Sequence, residues 1–87
     1  MIPRVGEARH LRDFTIHLLF SDGTGGEVDF SGELYGKMFE PLKDPEQFQQ
    51  FFVHAEFRTL CWPNGADFAP GFLYDKVRMP ASPQEKR

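Results

Sequence analysis

The stretch that decides the fold is FTIHLLFSDGTGGEVDF, residues 14–30. In its first half, apolar residues alternate with mostly polar ones, and the apolar set is Phe14, Ile16, Leu18 and Phe20. Such period-two alternation is typical of a half-buried β-strand. The pair Asp22-Gly23 is typical of a type I′ hairpin turn, in which both central residues have positive φ. The sequence therefore predicts a β-hairpin made of residues 13–20 and 25–31.

A weaker alternation precedes this hairpin. Over residues 4–10, one parity holds Val5, Glu7 and Arg9 and the other holds Gly6, Ala8 and His10. The pair Arg12-Asp13 is suited to the turn between this segment and the hairpin. We therefore expect an antiparallel β-meander of three strands. The edges of a short meander leave backbone N–H and C=O groups unpaired, and such edges can support a homodimer.

Beyond the hairpin, the pattern changes to turns and short helices. We expect Ser31 to cap a single helical turn, and we expect residues 39–42 to be irregular because Pro41 lacks an N–H donor. Asp44 is then suited to the N-cap of a helix of about two turns, with Pro45 at its first position and Gln47 completing a capping box. One apolar face of this helix should hold Phe48, Phe51 and Phe52.

The remainder of the chain predicts two short strands and one more helix. Residues 53–62 are expected to form two extended segments, with Leu60 and Trp62 on one face and Cys61 on the other. A helix should begin at Pro70 and end before Pro80. The fold class is α+β, a single two-layer domain over residues 1–79, and residues 80–87 should be a disordered tail.

Composition and charge narrow the class of protein. The 87 residues carry a formal net charge of −3 and a single cysteine, so we expect no disulfide and no zinc knuckle. No apolar run is long enough for a membrane span, and the N-terminus lacks the apolar core of a signal peptide. We therefore expect a cytoplasmic protein that does not bind a membrane. Residues 22–56 hold eight acids against two lysines, which favours a basic protein partner.

No recognisable catalytic motif is present in the chain. The three histidines, His10, His17 and His54, are scattered, and Cys61 has no base beside it in the sequence. We therefore predict no catalytic residues, no metal site and no cofactor. A small hydrolase that uses Asp67 and a histidine remains open, because it needs only that the two side chains share one pocket.

The most distinctive polar segment is WPNGADFAP, residues 62–70. It offers a candidate partner-binding edge, in which Trp62 is the anchor and Asn64 and Asp67 supply orienting hydrogen bonds. Two acids of the hairpin, Glu27 and Asp29, are further candidates for partner binding. A structural interpretation is also open, in which Trp62 closes the core, the turn follows it, and Asp67 accepts backbone N–H groups near the last helix.

This segment also carries a family resemblance. Residues 62–70 resemble the signature of a small bacterial family, the domain of unknown function 2442, and the motifs FSDGT, FEPL and DPEQF occur in the same order as in that family. The resemblance covers about residues 2–78. Gly71 stands where an acidic residue is expected, and Arg58 stands where glycine often precedes the threonine.

The resemblance implies a compact α+β domain with an antiparallel sheet and no established enzymatic activity. Members of the family resemble the antitoxin-like half of two-gene modules, beside a small protein of domain of unknown function 4160. We therefore expect a protein-interaction module that binds such a small, basic protein. The alternative is a DNA-associated regulator that acts through its basic ends, although the net negative charge disfavours nucleic acid. Those ends hold Arg4, Arg9, Arg12, Lys76 and Arg78.

Overall fold

A three-stranded antiparallel sheet, in the order β1-β2-β3, forms one layer of the protein. Its strands are β1 (Val5–Arg12), β2 (Thr15–Phe20) and β3 (Gly25–Asp29). The predicted meander is therefore confirmed. The computed structural model describes residues 3–78, so the predicted tail over residues 80–87 lies outside the described residues.

The inner face of this sheet is formed by the alternating apolar residues of the hairpin. Ile16, Leu18 and Phe20 of β2 are fully or almost fully buried, and Val28 of β3 lies opposite Ile16 and is also buried. Phe30, just beyond β3, is inaccessible to solvent. Alternation in residues 16–30 therefore predicted correctly which large apolar side chains enter the core, whereas Phe14 is only half-buried and Thr15, on the opposite parity, is buried.

A β-bulge changes the parity of β1. Val5 pairs with Phe20 and Glu7 pairs with the adjacent Leu19, so Gly6 is the extra residue of the bulge. The extra residue rotates the rest of the strand by one position. Val5 is consequently buried and Ala8 is partly buried, although simple alternation places them on opposite faces.

The hairpin turn differs from the predicted type I′. Leu19 pairs with Gly25, and the Phe20 N–H donates to the Thr24 carbonyl, so the loop has three residues. Gly23 has a φ of 90°, whereas Asp22 is not in the positive-φ region. The Asp22 carboxylate instead accepts the Thr24 N–H at 2.9 Å, and this local bond holds the turn with a single positive φ.

The second layer consists of short elements that cover the inner face. In chain order they are a 3₁₀ helix (Glu40–Lys43), α1 (Pro45–Phe48), β4 (Phe52–Val53), β5 (Leu60–Cys61) and α2 (Pro70–Arg78). The strands β4 and β5 pair as a second antiparallel sheet. The predicted α+β class is confirmed. Within residues 3–78, no helix has the length and apolar character needed to cross a membrane.

Two predictions for the segment between β3 and α1 are wrong. Ser31 does not cap a helix, because residues 31–33 form a turn and the Ser31 N–H donates to the carboxylate of Asp29. Residues 40–43 form a 3₁₀ helix and are not irregular. Pro41 is tolerated there because the first residues of a helix need no N–H donor.

The helix start at Asp44 is confirmed, but α1 has only one turn. The Asp44 carboxylate accepts the Glu46 N–H at 3.1 Å. The predicted reciprocal bond from Gln47 does not form, because the Asp44 N–H donates to the Pro41 carbonyl. Since α1 ends at Phe48, Phe52 falls in β4 and is 44% exposed, contrary to the predicted three-phenylalanine face.

The helix α2 packs against β3 at a glycine. A Cβ atom on Gly26 would lie 3.0 Å from Cγ1 of Val77, so the missing side chain permits this close approach. Leu73 and Val77 are buried, as their spacing predicts. The Tyr74 hydroxyl donates to the Asp22 carboxylate at 2.6 Å and ties the helix to the hairpin turn.

Trp62 lies at the centre of an aromatic cluster. Its side chain is 1% exposed, and its indole N–H donates to the Phe48 carbonyl at 2.8 Å. Four phenylalanine rings lie 5.7–6.5 Å from the indole, and these are Phe39, Phe48, Phe51 and Phe68. The structural interpretation of Trp62 as a core residue is therefore correct. Cys61 is buried as well, because β5 lies between β4 and a returning segment that pairs with it at Asp67.

Replacement of Trp62 tests this arrangement. We expect Trp62→Ala to lower the free energy of unfolding by about 3–5 kcal/mol, because it removes a fully buried indole. Trp62→Phe should cost less, since it keeps an aromatic ring but leaves the Phe48 carbonyl unpaired. Urea denaturation followed by circular dichroism measures both changes. A loss below about 1 kcal/mol for Trp62→Ala would contradict the central position of the indole.

The cap of α1 has its own test. We expect Asp44→Ala to lower the free energy of unfolding by about 1 kcal/mol, because the Glu46 N–H loses its acceptor. Asp44→Ser is the matched control, since its hydroxyl can accept the same bond and should retain most of the stability. Equal losses in both variants would show that the cap does not act through this hydrogen bond.

The contact between Tyr74 and Asp22 predicts a pH dependence. The Tyr74 hydroxyl, and after it the Thr24 N–H, hold the pKa of Asp22 below its ordinary value because they donate to the ionised form. Tyr74→Phe should therefore raise the pKa of Asp22 in a carboxyl NMR titration. The stability that this bond adds should be present at neutral pH and disappear as the pH falls through the pKa of Asp22. An unchanged Asp22 pKa in Tyr74→Phe would refute this account.

Candidate functional site

The segment that follows β5 is a tight turn held by its own backbone. The Trp62 N–H donates to the Ala66 carbonyl at 2.9 Å, and the Gly65 N–H donates to the Trp62 carbonyl at 3.0 Å. Gly65 has a φ of 94°, a conformation that suits glycine, whereas Asn64 stays outside the positive-φ region. The turn therefore reverses the chain directly after the buried indole and leaves Pro63 and Asn64 exposed.

The side-chain amide of Asn64 forms hydrogen bonds through both its oxygen and its nitrogen. Its Oδ1 accepts the Ala66 N–H at 3.0 Å, and its Nδ2 donates to the Met38 carbonyl at 2.9 Å. The side chain thus closes the turn and ties it to the segment before the 3₁₀ helix. Asn64 is exposed, but the bonds that orient it are internal to the protein.

Asp67 does not act as the predicted cap. Its carboxylate accepts no hydrogen bond from a residue within 3–78, and its backbone forms a bridge with Cys61. Burial raises the pKa of the Cys61 thiol, and the negative charge of Asp67 adds to this rise. The thiol therefore stays protonated near neutral pH, which makes it a poor nucleophile.

The two predicted acids of β3 lie on a different surface. Glu27 and Asp29 project from the outer face of the sheet, where Glu27 accepts from Arg12 at 3.1 Å and Asp29 accepts the Ser31 N–H at 2.9 Å. None of the hydrogen bonds or ion pairs in residues 3–78 joins them to the turn at residues 62–67. The structure therefore does not bring the five candidate residues into one site.

Trp62 differs from the other candidates in its burial. Because its side chain is buried, a partner could reach only the exposed residues beside it, Asn64 and Asp67. The role of these residues in partner binding stays a prediction.

His10 and His54 form hydrogen bonds with backbone groups a few residues further along the chain. His10 Nε2 lies 2.9 Å from the Asp13 carbonyl, and His54 Nδ1 accepts the N–H groups of Glu56 and Phe57 at 3.0 and 3.1 Å. Among residues 3–78, no three side chains of histidine, cysteine, aspartate or glutamate converge in a way that would hold a metal ion.

An exposed aromatic surface lies on β4 and on the loop between β4 and β5. The rings of His54 and Phe57 stack with centroids 4.5 Å apart, and the ring of Phe52 lies 6.5 Å from that of His54. Phe57 is 64% exposed. We call Phe52, His54 and Phe57 the aromatic ledge. Large exposed aromatic groups are enriched at protein interfaces.

A cavity of about 290 Å³ opens where the same loop meets the start of β1. Its lining consists of Arg4, Val5, Gly6, Ser21 and Arg58. The Val5 N–H donates to the Arg58 carbonyl at 2.9 Å, and this bond brings the two arginines to one place. We call this space the arginine cavity.

Sequence reasoning missed both surfaces. It assigned Phe52 to a helix face, and nothing in the spacing of Arg4 and Arg58 indicates that they meet, since 53 residues separate them. One signal was available, because Arg58 occupies a position where the resemblance leads us to expect glycine. The φ of Arg58 is 53°, which is unusual for a residue other than glycine.

Comparison with known proteins identifies a family but no characterised relative. No curated protein and no solved structure matches the chain. One family model matches residues 5–78, which include every strand and helix described above. Because this match spans most of the chain, the chain belongs to the family described as protein of unknown function (DUF2442).

Proposed function

We propose that this chain is a non-enzymatic protein-interaction module, antitoxin-like in role, that binds a small basic protein encoded by a neighbouring gene. The partner proposed is one that resembles the domain of unknown function 4160. The aromatic ledge carries this proposal, because the ledge exposes large apolar rings in a chain whose other phenylalanines are buried or half-buried.

The ledge is already ordered before any partner arrives. The two backbone N–H groups bound to His54 Nδ1 fix the imidazole, and Phe57 stacks on the fixed ring. A partner that covers Phe52 and Phe57 would therefore restrict few additional rotamers. Rigid aromatic anchors of this kind provide much of the binding energy at protein interfaces.

The charge of the chain favours a basic partner. Of the eight acids in residues 22–56, three form ion pairs, with Arg12, Lys76 and Lys43 as their partners. The other five have no ion pair with a residue of the described part of the chain, and they are Asp22, Asp29, Asp44, Glu46 and Glu56. One of these, Glu56, lies in the loop between β4 and β5, next to Phe57 of the aromatic ledge. Unpaired surface carboxylates steer the approach of a positively charged protein.

The alternative of a DNA-associated regulator has less support. Two of the basic residues on which it depends, Arg12 and Lys76, are bound to Glu27 and Glu33. A third, Arg78, lies over the ring of Tyr74, 5.5 Å from its centroid. The carboxylates of Glu27 and Glu33 offset the positive charge of Arg12 and Lys76, and binding to duplex DNA depends on such charge.

Co-purification with the product of the adjacent gene tests the proposal. We expect a complex at micromolar concentration that weakens as salt is raised, because screening reduces attraction between opposite charges. Phe57→Ser should weaken the complex by roughly 30-fold, the size of effect typical of an interface hot spot. Isothermal titration calorimetry measures this change, and light scattering of the free chain shows whether it is a homodimer.

Tyr35→Ser is the matched control for the ledge. Tyr35 is 68% exposed, as exposed as Phe57, but it lies outside the ledge. We expect its replacement to leave the complex unchanged. Equal weakening by both substitutions would reject the ledge as the contact surface, and the absence of any complex with the neighbouring protein would reject the proposed function.

A further inference from the structure

We propose that the arginine cavity is a binding site for a phosphate dianion, either inorganic phosphate or the phosphate of a monoester. This site is separate from the aromatic ledge and does not depend on the proposed partner. It rests on the cavity itself, on the charges that line it, and on the backbone conformation at Arg58.

The charges in the cavity are positive and lack internal partners. Neither Arg4 nor Arg58 forms an ion pair with a residue in the described part of the chain, and no carboxylate lines the cavity. In contrast, the exposed Arg12 is paired with Glu27. Each guanidinium carries several N–H donors in a planar fork that matches phosphate oxygens. Two such groups balance the charge of a phosphate dianion, which is about −1.5 to −2 at neutral pH.

Ser21 supplies a third donor at a fixed position. Its Oγ accepts the Arg4 N–H at 3.1 Å, and its own N–H donates to the Arg4 carbonyl at 2.8 Å. These two bonds hold Ser21 at the cavity wall. In the first of them the hydroxyl oxygen acts only as an acceptor. The hydroxyl hydrogen therefore remains free to donate to a bound oxyanion.

The backbone at Arg58 is unusual for an arginine. Its φ of 53° lies in the left-handed region, which glycine enters at no steric cost and a side chain with a Cβ enters only with strain. Hydrogen bonds hold it there, since the Arg58 N–H donates to the His54 carbonyl and the Arg58 carbonyl accepts from Val5, both at 2.9 Å. Strained residues of this kind occur at ligand-binding positions, and here the strained residue lines the cavity together with Arg4.

The size of the cavity limits the ligand. A volume of about 290 Å³ is just below the range, roughly 300–1,000 Å³, that small-molecule sites occupy. A phosphate group fits this space, whereas most of a nucleotide would remain outside it. We therefore assign the cavity to the phosphate itself, with any attached group directed to solvent.

Titration with inorganic phosphate tests the site. At constant ionic strength, we expect saturable shifts of the backbone amide signals of Gly6 and Ser21 in NMR spectra. Arg4→Gln and Arg58→Gly should each weaken binding by about tenfold or more, because each removes a charge-assisted contact to the anion. Arg9→Gln is the matched control, since Arg9 is an exposed arginine of β1 that does not line the cavity. It should leave phosphate affinity within about twofold of the original chain.

Arg58→Gly separates binding from folding. Glycine suits the φ of this position, so the variant should keep the Tm or raise it while phosphate binding weakens. A purely structural role for Arg58 predicts the opposite pattern, in which Tm falls and phosphate affinity does not change. That pattern would overturn the proposal.

Three further anions define the chemistry. At a pH above the second pKa of both, methyl phosphate and inorganic phosphate are dianions. Tighter binding of methyl phosphate would identify a monoester as the ligand, and tighter binding of inorganic phosphate would identify the free ion. Dimethyl phosphate and acetate carry one charge and should bind more weakly. Equal affinity for either of these monoanions would overturn the assignment to a dianion, as would equal loss of phosphate binding in Arg9→Gln and Arg4→Gln.

Discussion

The hydrogen bond from the Trp62 indole to the Phe48 carbonyl joins the two parts of the second layer. Phe48 is the last residue of α1, where the final carbonyls of a helix have no partner inside the helix. A one-turn helix is unstable alone, so it depends on contacts of this kind. The same indole anchors the end of β5 within four phenylalanine rings. The short elements of the layer therefore hold one another against the sheet.

This arrangement leaves the loop between β4 and β5 as the exposed edge of a rigid support. Backbone hydrogen bonds at His54 and Arg58 order the loop, and the bond from Val5 attaches it to β1. The aromatic ledge and the arginine cavity are two consequences of that attachment. One presents apolar rings to solvent and the other presents two positive charges, so the two surfaces suit different chemistry.

Local patterns predicted the elements well wherever a single rule applied. Alternation in residues 14–30 identified the inner face, and the Asp-Pro pair identified the start of α1. The prediction was wrong where two rules compete. At Asp22 a side-chain hydrogen bond replaced a second positive φ, and at Gly6 a bulge inverted the parity of β1. The sequence does not show which competing conformation has the lower energy.

The sequence by itself determined the α+β class, the meander and the family, because alternation, turn residues and short motifs are read from neighbouring positions. Only the tertiary structure decided which surfaces are available for function. It buried Trp62 away from any partner, exposed Phe57, and placed Arg4 beside Arg58. These outcomes depend on contacts between residues distant in the chain, and a contact of that kind is set by how the elements pack rather than by local pattern.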